Sequence, residues 1–240
     1  MREGDTRSGK VITYHYKFAL PGGAKREFKL RLNKRTLNLV QTRRESYPEW
    51  AQLGCCKCPN CSLEEAKHPF CPVAANLTDL VDFFRNSVSY EEVDVCIDTE
   101  ARQYTKHTSL QKALSSLIGI YMATSGCPVM EKLKPMTRDH LPFATLEETT
   151  YRAICMYLLA QYFRQRRGQK PDWELKELGP MYDDIRILNQ SFCKRLSHTR
   201  IGDASINAVV ILNTSADFVP ISVDQNLLDD LEAPFEAYFR

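Results

Sequence analysis

Apolar and polar residues alternate near the start of the chain in the pattern of β-strands. Within residues 11–20 every second side chain is large and apolar, which is the period of a strand with one buried face. The sequence PGG at 21–23 predicts a turn, and the alternation resumes over 28–32 before a short apolar run at 37–40. We therefore expect an antiparallel meander of three strands.

Apolar residues at a spacing of three or four predict helices in most of the remaining chain. Helices are expected over 72–86, 110–124, 146–167, 181–196 and 225–239. Thr145 and Glu148, at the start of the third of these, have the spacing of a capping box. Strands are expected near 93–107. The apolar run at 206–212 predicts a further strand, central because both of its faces are hydrophobic.

These elements predict an α+β fold, in which an antiparallel sheet of the N-terminal meander plus later strands packs against several helices. We expect a single domain over residues 1–240, because this length can bury one sizeable core. Within it we expect a β-meander (1–54), a cysteine-rich metal-binding loop (55–75) and a helix-rich remainder that includes the later strands (76–240).

Five of the nine cysteines lie within residues 54–72, which is the strongest chemical signal in the chain. The first residues lack the apolar stretch of a secretory signal, and the apolar runs at 117–123 and 153–160 fall short of the roughly 20 residues that cross a bilayer. We therefore expect a cytoplasmic protein without a membrane partner. Because that compartment is reducing and the cysteine number is odd, the clustered thiols indicate a metal site rather than a disulfide framework.

The spacing of the cysteines identifies candidate metal ligands. Cys58 and Cys61 have the two-residue spacing that lets one turn direct both sulfurs at an ion, and Cys71 is far enough along for a loop to return. Three nearby residues are candidates for the fourth ligand, namely Cys55, Cys56 and His68. Cys127 is a more distant candidate, because it and Cys71 each precede a proline and would be the N-caps of helices. At a helix N-terminus the pKa of a thiol is expected to fall, which favours the thiolate that binds metal.

Zinc is the metal expected for a closed site of four sulfur ligands in a cytosolic protein. A 4Fe-4S cluster is the alternative, because a Cys-Pro pair after a CxxC motif is a ferredoxin-like feature. The isolated Cys96, Cys155 and Cys193 are interpreted as unliganded, buried side chains. The CPNC motif also resembles the active-site turn of glutaredoxin-type enzymes, but here no clear strand precedes it and no helix directly follows.

The remaining signals are weaker. The formal net charge of +2 gives no specific indication of nucleic-acid binding. His140, near Asp139, Glu147 and Glu148, suggests an acid–base or second metal site, but a structural hydrogen-bonding role is favoured because Glu148 already belongs to the helix cap. The chain has no glycine-rich phosphate loop, GxSxG elbow or HExxH motif. We therefore expect binding or regulation through an unidentified protein partner rather than catalysis.

Taken together, the motifs resemble an uncharacterised bacterial family, a domain of unknown function. The resemblance rests on PEW at 48–50, CPNC at 58–61, CPVA at 71–74, SGCP at 125–128 and HLPFA at 140–144. It implies a bacterial cytosolic protein and groups Cys127 with the other candidate ligands, and it implies no activity. Cys55 and Cys56 lie outside the shared pattern.

Overall fold

The structure is a computed structural model that describes residues 10–41, 44–199, 201–224 and 228–240. Its strands are β1 (Val11–Ala19), β2 (Lys25–Asn33), β3 (Glu92–Asp98) and β4 (Gln103–Ser109). Its α-helices are α1 (Pro72–Phe83), α2 (Leu110–Ala123), α3 (Leu146–Arg166), α4 (Leu178–Ser197), α5 (Ala204–Asp224) and α6 (Leu228–Glu232). Short 3-10 helices include Glu49–Ala51, Met130–Thr137 and Ala233–Tyr238. The predicted α+β class is therefore confirmed.

The four strands form one antiparallel sheet in the order β2-β1-β3-β4. Tyr16 in β1 lies opposite Phe28 in β2 and Ile97 in β3, so the alternating apolar residues of neighbouring strands share one face. The fully buried members of this face are Tyr14, Tyr16, Phe18, Leu30, Leu32, Val93, Val95 and Ile97. Helix α2 contacts β3 and β4 as well as α1 and α5, which explains why it is buried on nearly all sides.

The third strand expected in the N-terminal meander is absent from the described structure. The run at 37–40 contributes an isolated bridge between Leu32 and Leu39, and β3 takes the other edge of β1. The cause is the turn after β2, in which the side chain of Asn33 accepts the backbone N–H groups of Arg35 and Thr36. Leu37 then adopts a φ of 57°, in the left-handed region that does not continue a strand.

The prediction of a strand at 206–212 is wrong, because these residues form part of helix α5. A continuous apolar run fits a buried helix as well as a buried strand, and here packing against α2, α3 and α4 determines the helix. By length and composition alone, Ala204–Ile221 in this helix is the one candidate membrane span in the described part of the chain.

Helix ends largely follow the local signals. The predicted capping box is confirmed, since Thr145 Oγ1 accepts the N–H of Glu148 and the Glu148 carboxylate accepts the N–H of Thr145. Helix α4 begins at Leu178, earlier than expected. The proline at 180 is tolerated because it falls in the first turn, where a backbone N–H would have no partner within the helix. Of the helix expected at 225–239, residues 225–227 lie outside the described ranges, and the rest divides into α6 and a 3-10 helix.

Candidate metal centre

A tight turn presents the first two candidate ligands. The N–H of Cys61 donates to the carbonyl of Cys58 at 3.0 Å, which closes the turn around Pro59 and Asn60. The Asn60 side chain donates to the backbone carbonyl of Asp184 at 3.0 Å and to its carboxylate at 3.1 Å. These contacts attach the turn to α4.

Cys71 lies at the start of α1, as the sequence predicts. It is the N-cap residue, with Pro72 as the first helical residue, and its carbonyl accepts the N–H of Ala75 at 2.8 Å. Its own N–H donates to the carbonyl of Ala51 at 2.8 Å, which fixes the helix start against the 3-10 turn at 49–51. Cys71 is therefore held by backbone hydrogen bonds on both sides.

Cys127 is positioned by the loop that follows α2. Gly126 adopts a φ of 85°, and the Cys127 N–H donates to Ser125 Oγ at 3.2 Å. The predicted helix start at Pro128 is wrong by two residues, because the 3-10 helix begins at Met130. The backbone N–H groups of Val129 and Met130 nevertheless lie near enough to the Cys127 thiol to act to lower its pKa.

These three segments place Cys58, Cys61, Cys71 and Cys127 around one cavity of about 20 Å³. Its other walls are mainly apolar and include Leu53, Val73, Val129, Leu188 and Phe192. Cys71 and Cys127 are buried, and Cys58 and Cys61 are partly buried. Thiols separated by up to 69 positions in the sequence (127 − 58) therefore share one enclosed space.

The four thiols are not at coordination geometry. Within the described ranges, no three or more histidine, cysteine, aspartate or glutamate side chains are arranged to hold a metal ion. Burial, together with the nearby Cys71, raises the pKa of Cys58 to about 11. Burial also raises the pKa of Cys127, outweighing the two N–H groups at its sulfur, so the expected fall at a helix start is wrong here.

The local alternatives for the fourth ligand lie outside this cavity. Cys56 has a φ of 52°, and its Sγ lies 3.1 Å from Nδ1 of His198. Cys55 interacts with Cys56, and burial raises its pKa. His68 is exposed and lines a separate surface depression.

Sequence reasoning missed Arg195, which is part of the cavity wall and only 2% exposed. Its guanidinium donates to four backbone carbonyls, those of Trp50 and Gln52 at 2.6 Å and those of Leu53 and Cys56 at 3.3 Å. It therefore fixes the loop that leads into the CxxC turn. The available signal was an arginine on the apolar face of α4, three residues after Phe192 and next to Leu196.

The isolated cysteines are interpreted from the sequence as buried, but none of the three is fully buried. Cys96 and Cys193 are half-buried, but Cys155 is exposed on α3, because it lies on the solvent side of that helix. None of the three lines the cavity.

His140 is held by two hydroxyl groups rather than by a carboxylate. Its Nε2 lies 2.6 Å from the Tyr16 hydroxyl and 3.2 Å from Ser116 Oγ. Burial, together with the positive charge of Arg152, lowers the pKa of His140 to about 3. The ring is therefore neutral at pH 7, is hydrogen-bonded to two hydroxyl groups and is poorly suited as a general base.

Fold and cavity define a class of protein, an α+β chain in which four cysteines from three segments line a small cavity. Residues 12–236 match the sequence model of a family described as "Domain of unknown function (DUF6901)". The chain belongs to this family, and the predicted resemblance to an uncharacterised family is confirmed. No match was found among curated proteins or among solved structures.

Proposed function

We propose that this chain is a metal-binding protein in which Cys58, Cys61, Cys71 and Cys127 hold one zinc ion, with a structural role. The observation that carries the proposal is the shared cavity, in which these four cysteines lie together and Cys55, Cys56 and His68 do not. Four thiolates are a complete ligand set for a closed, tetrahedral zinc site.

Binding requires a local adjustment and the loss of protons. The thiols must rotate toward a common point and deprotonate, and the ion supplies the charge that makes four neighbouring thiolates compatible. Neighbouring thiols raise the pKa of Cys58, which reflects the repulsion that a divalent cation would remove. The backbone around Cys71 and Cys127 is already fixed by hydrogen bonds, so side-chain rotation is the main change required.

The cavity size favours zinc over the alternative iron–sulfur cluster. A volume of about 20 Å³ holds a single small ion, since roughly 10–15 Å³ on this measure admits one water-sized sphere. A 4Fe-4S cluster has four irons and four sulfides and would need the walls to move apart. We therefore retain the cluster only as an outcome of the test.

A zinc ion at this position would add a direct connection between three segments that otherwise meet through helix packing and backbone hydrogen bonds. It would join the CxxC turn, the start of α1 and the segment that follows α2. We assign the resulting protein to binding or regulation through a protein partner in the cytoplasm rather than to catalysis. The neutral His140, hydrogen-bonded to hydroxyl groups rather than to a carboxylate, supports this assignment.

Metal analysis of the purified protein tests the proposal. We expect one zinc per chain and no visible absorbance, and a broad visible band with bound iron would instead support the cluster. Cys58→Ser and Cys127→Ser should lose the metal, whereas Cys155→Ser and Cys193→Ser should keep it. Equal metal content in all four variants would contradict the ligand assignment.

A further inference from the structure

A second cavity, of about 210 Å³, lies among α2, α3, α4, α5 and the segment at 130–144. Its walls are mostly apolar and include Ile120, Leu133, Met136, Phe143, Ile185 and Leu212. Since roughly 10–15 Å³ on this measure admits one water-sized sphere, this space is about 14 to 21 times larger. It therefore has room for a small organic ligand.

The charged groups at this cavity are all positive. Lys112 and Arg152 line it, and no aspartate or glutamate does so among the described residues. Arg152 uses Nη2 to donate to the carbonyls of Met136 and Asp139, at 2.9 and 2.8 Å. No hydrogen bond from its Nε or Nη1 is seen in the described part of the chain, although the carboxylates of Asp139 and Glu148 lie close enough to interact with its charge. A partly buried guanidinium with free donors is suited to a carboxylate.

A buried amide gives the cavity a second polar feature. Asn189, on α4, is only 1% exposed and lines the cavity, yet its Oδ1 has no hydrogen-bond partner among the described residues. Leaving a buried acceptor unpaired is unfavourable, and a rotation of the Asn189 side chain toward the cavity would let its Oδ1 accept a hydrogen bond from a ligand.

We propose that this cavity binds a small amphipathic carboxylate that also carries a hydroxyl or N–H donor. The carboxylate faces Arg152, with Lys112 adding positive charge, and the apolar body lies on the aliphatic walls. The donor satisfies Asn189. His140 and Ser116, which also line the cavity, are neutral there and add no charge that would oppose an anion.

Calorimetric titration with matched six-carbon probes tests the proposal. The probes are hexanoate, hexan-1-ol, hexylammonium, 2-hydroxyhexanoate and 6-hydroxyhexanoate. We expect hexanoate to bind at least tenfold more tightly than hexan-1-ol or hexylammonium, because a charged hydrogen bond contributes a factor of this size. One of the two hydroxy acids should bind about two- to tenfold more tightly still. No saturable binding of the carboxylates, or equal binding of hexylammonium, would overturn the proposal.

Three variants separate ligand recognition from folding. Arg152→Gln should reduce hexanoate binding at least tenfold, and Lys112→Gln, at an exposed side chain, should reduce it less without disturbing the fold. Asn189→Leu should abolish the preference for the hydroxy acid while thermal stability is kept, because it removes an unpaired polar atom. If Asn189→Leu leaves the hydroxyl preference intact, the donor assignment is wrong.

Discussion

Arg195 offers the sharpest test of how the cysteine segment is held. Its guanidinium is buried, and its four carbonyl acceptors all lie in the loop at 50–56 that precedes the CxxC turn. Arg195→Met keeps much of the apolar side chain but removes all five N–H donors. The loop carbonyls then lose their partners at a site where one of the four hydrogen bonds is buried and three are part-buried.

The size of the effect follows from these contacts. Hydrogen bonds from a charged donor contribute about 1.5–3 kcal/mol each, so the two bonds at 2.6 Å account for roughly 3–6 kcal/mol. Part of this is offset because a buried charge is no longer desolvated in the variant. We expect the free energy of unfolding to fall by about 3 kcal/mol, which lowers Tm by roughly 6–12 °C for a chain of this length.

Denaturant unfolding measures the change in the free energy of unfolding. Saturating zinc keeps the metal occupancy equal in all variants. Arg195→Lys should lie between wild type and Arg195→Met, because a single ammonium cannot reach four carbonyls as the guanidinium does. Arg186→Met is the matched control, since Arg186 is on the same helix but exposed and paired with Asp183 at 2.9 Å. A loss below about 1 kcal/mol for Arg195→Met, or one equal to that of the control, would refute the reasoning.

Three further predictions concern other parts of the molecule. Between pH 6.5 and about 3 the unfolded state binds a proton at His140 that the folded state excludes. The free energy of unfolding should therefore fall with decreasing pH by up to about 1.4 kcal/mol per pH unit. In equilibrium unfolding, His140→Gln should show a shallower dependence of stability on pH. Thr145→Ala should cost about 1 kcal/mol in the same assay through loss of the capping box. Removing zinc with a chelator should weaken hexanoate binding several-fold by calorimetry, and unchanged binding would argue that the two cavities are independent.

The sequence predicts those features of the fold that depend on neighbouring residues. Alternation in β1 to β4 and the Thr145 capping box are local patterns, and the structure confirms both. The run at 206–212 has no such local signature, because a segment that is apolar throughout is compatible with both a buried strand and a buried helix. Only its packing among α2, α3 and α4, which is non-local, selects the helix.

The candidate metal site likewise has some features that local sequence predicts and others that depend on tertiary packing. The CxxC turn is readable from spacing, whereas the position of Cys127 beside it depends on how the chain returns after α2. Arg195 and Asn189 could not be assigned roles from sequence, because their importance lies in the carbonyls and the cavity that tertiary packing brings to them. The pKa of Cys127 was predicted in the wrong direction because burial, a property of the folded chain, outweighs the local N–H donors.

The two cavities are lined by neighbouring residues of the same two segments, which is the physical reason to expect coupling between them. The segment that follows α2 begins with Cys127 at the cysteine cavity and continues with Met130 and Leu133 at the second cavity. Helix α4 likewise contributes Leu188 to the first cavity and Asn189 to the second. A zinc ion that fixes Cys127 would thus fix one wall of the ligand cavity as well. Because binding linkage is reciprocal, whatever factor zinc adds to carboxylate affinity, the carboxylate must add to zinc affinity.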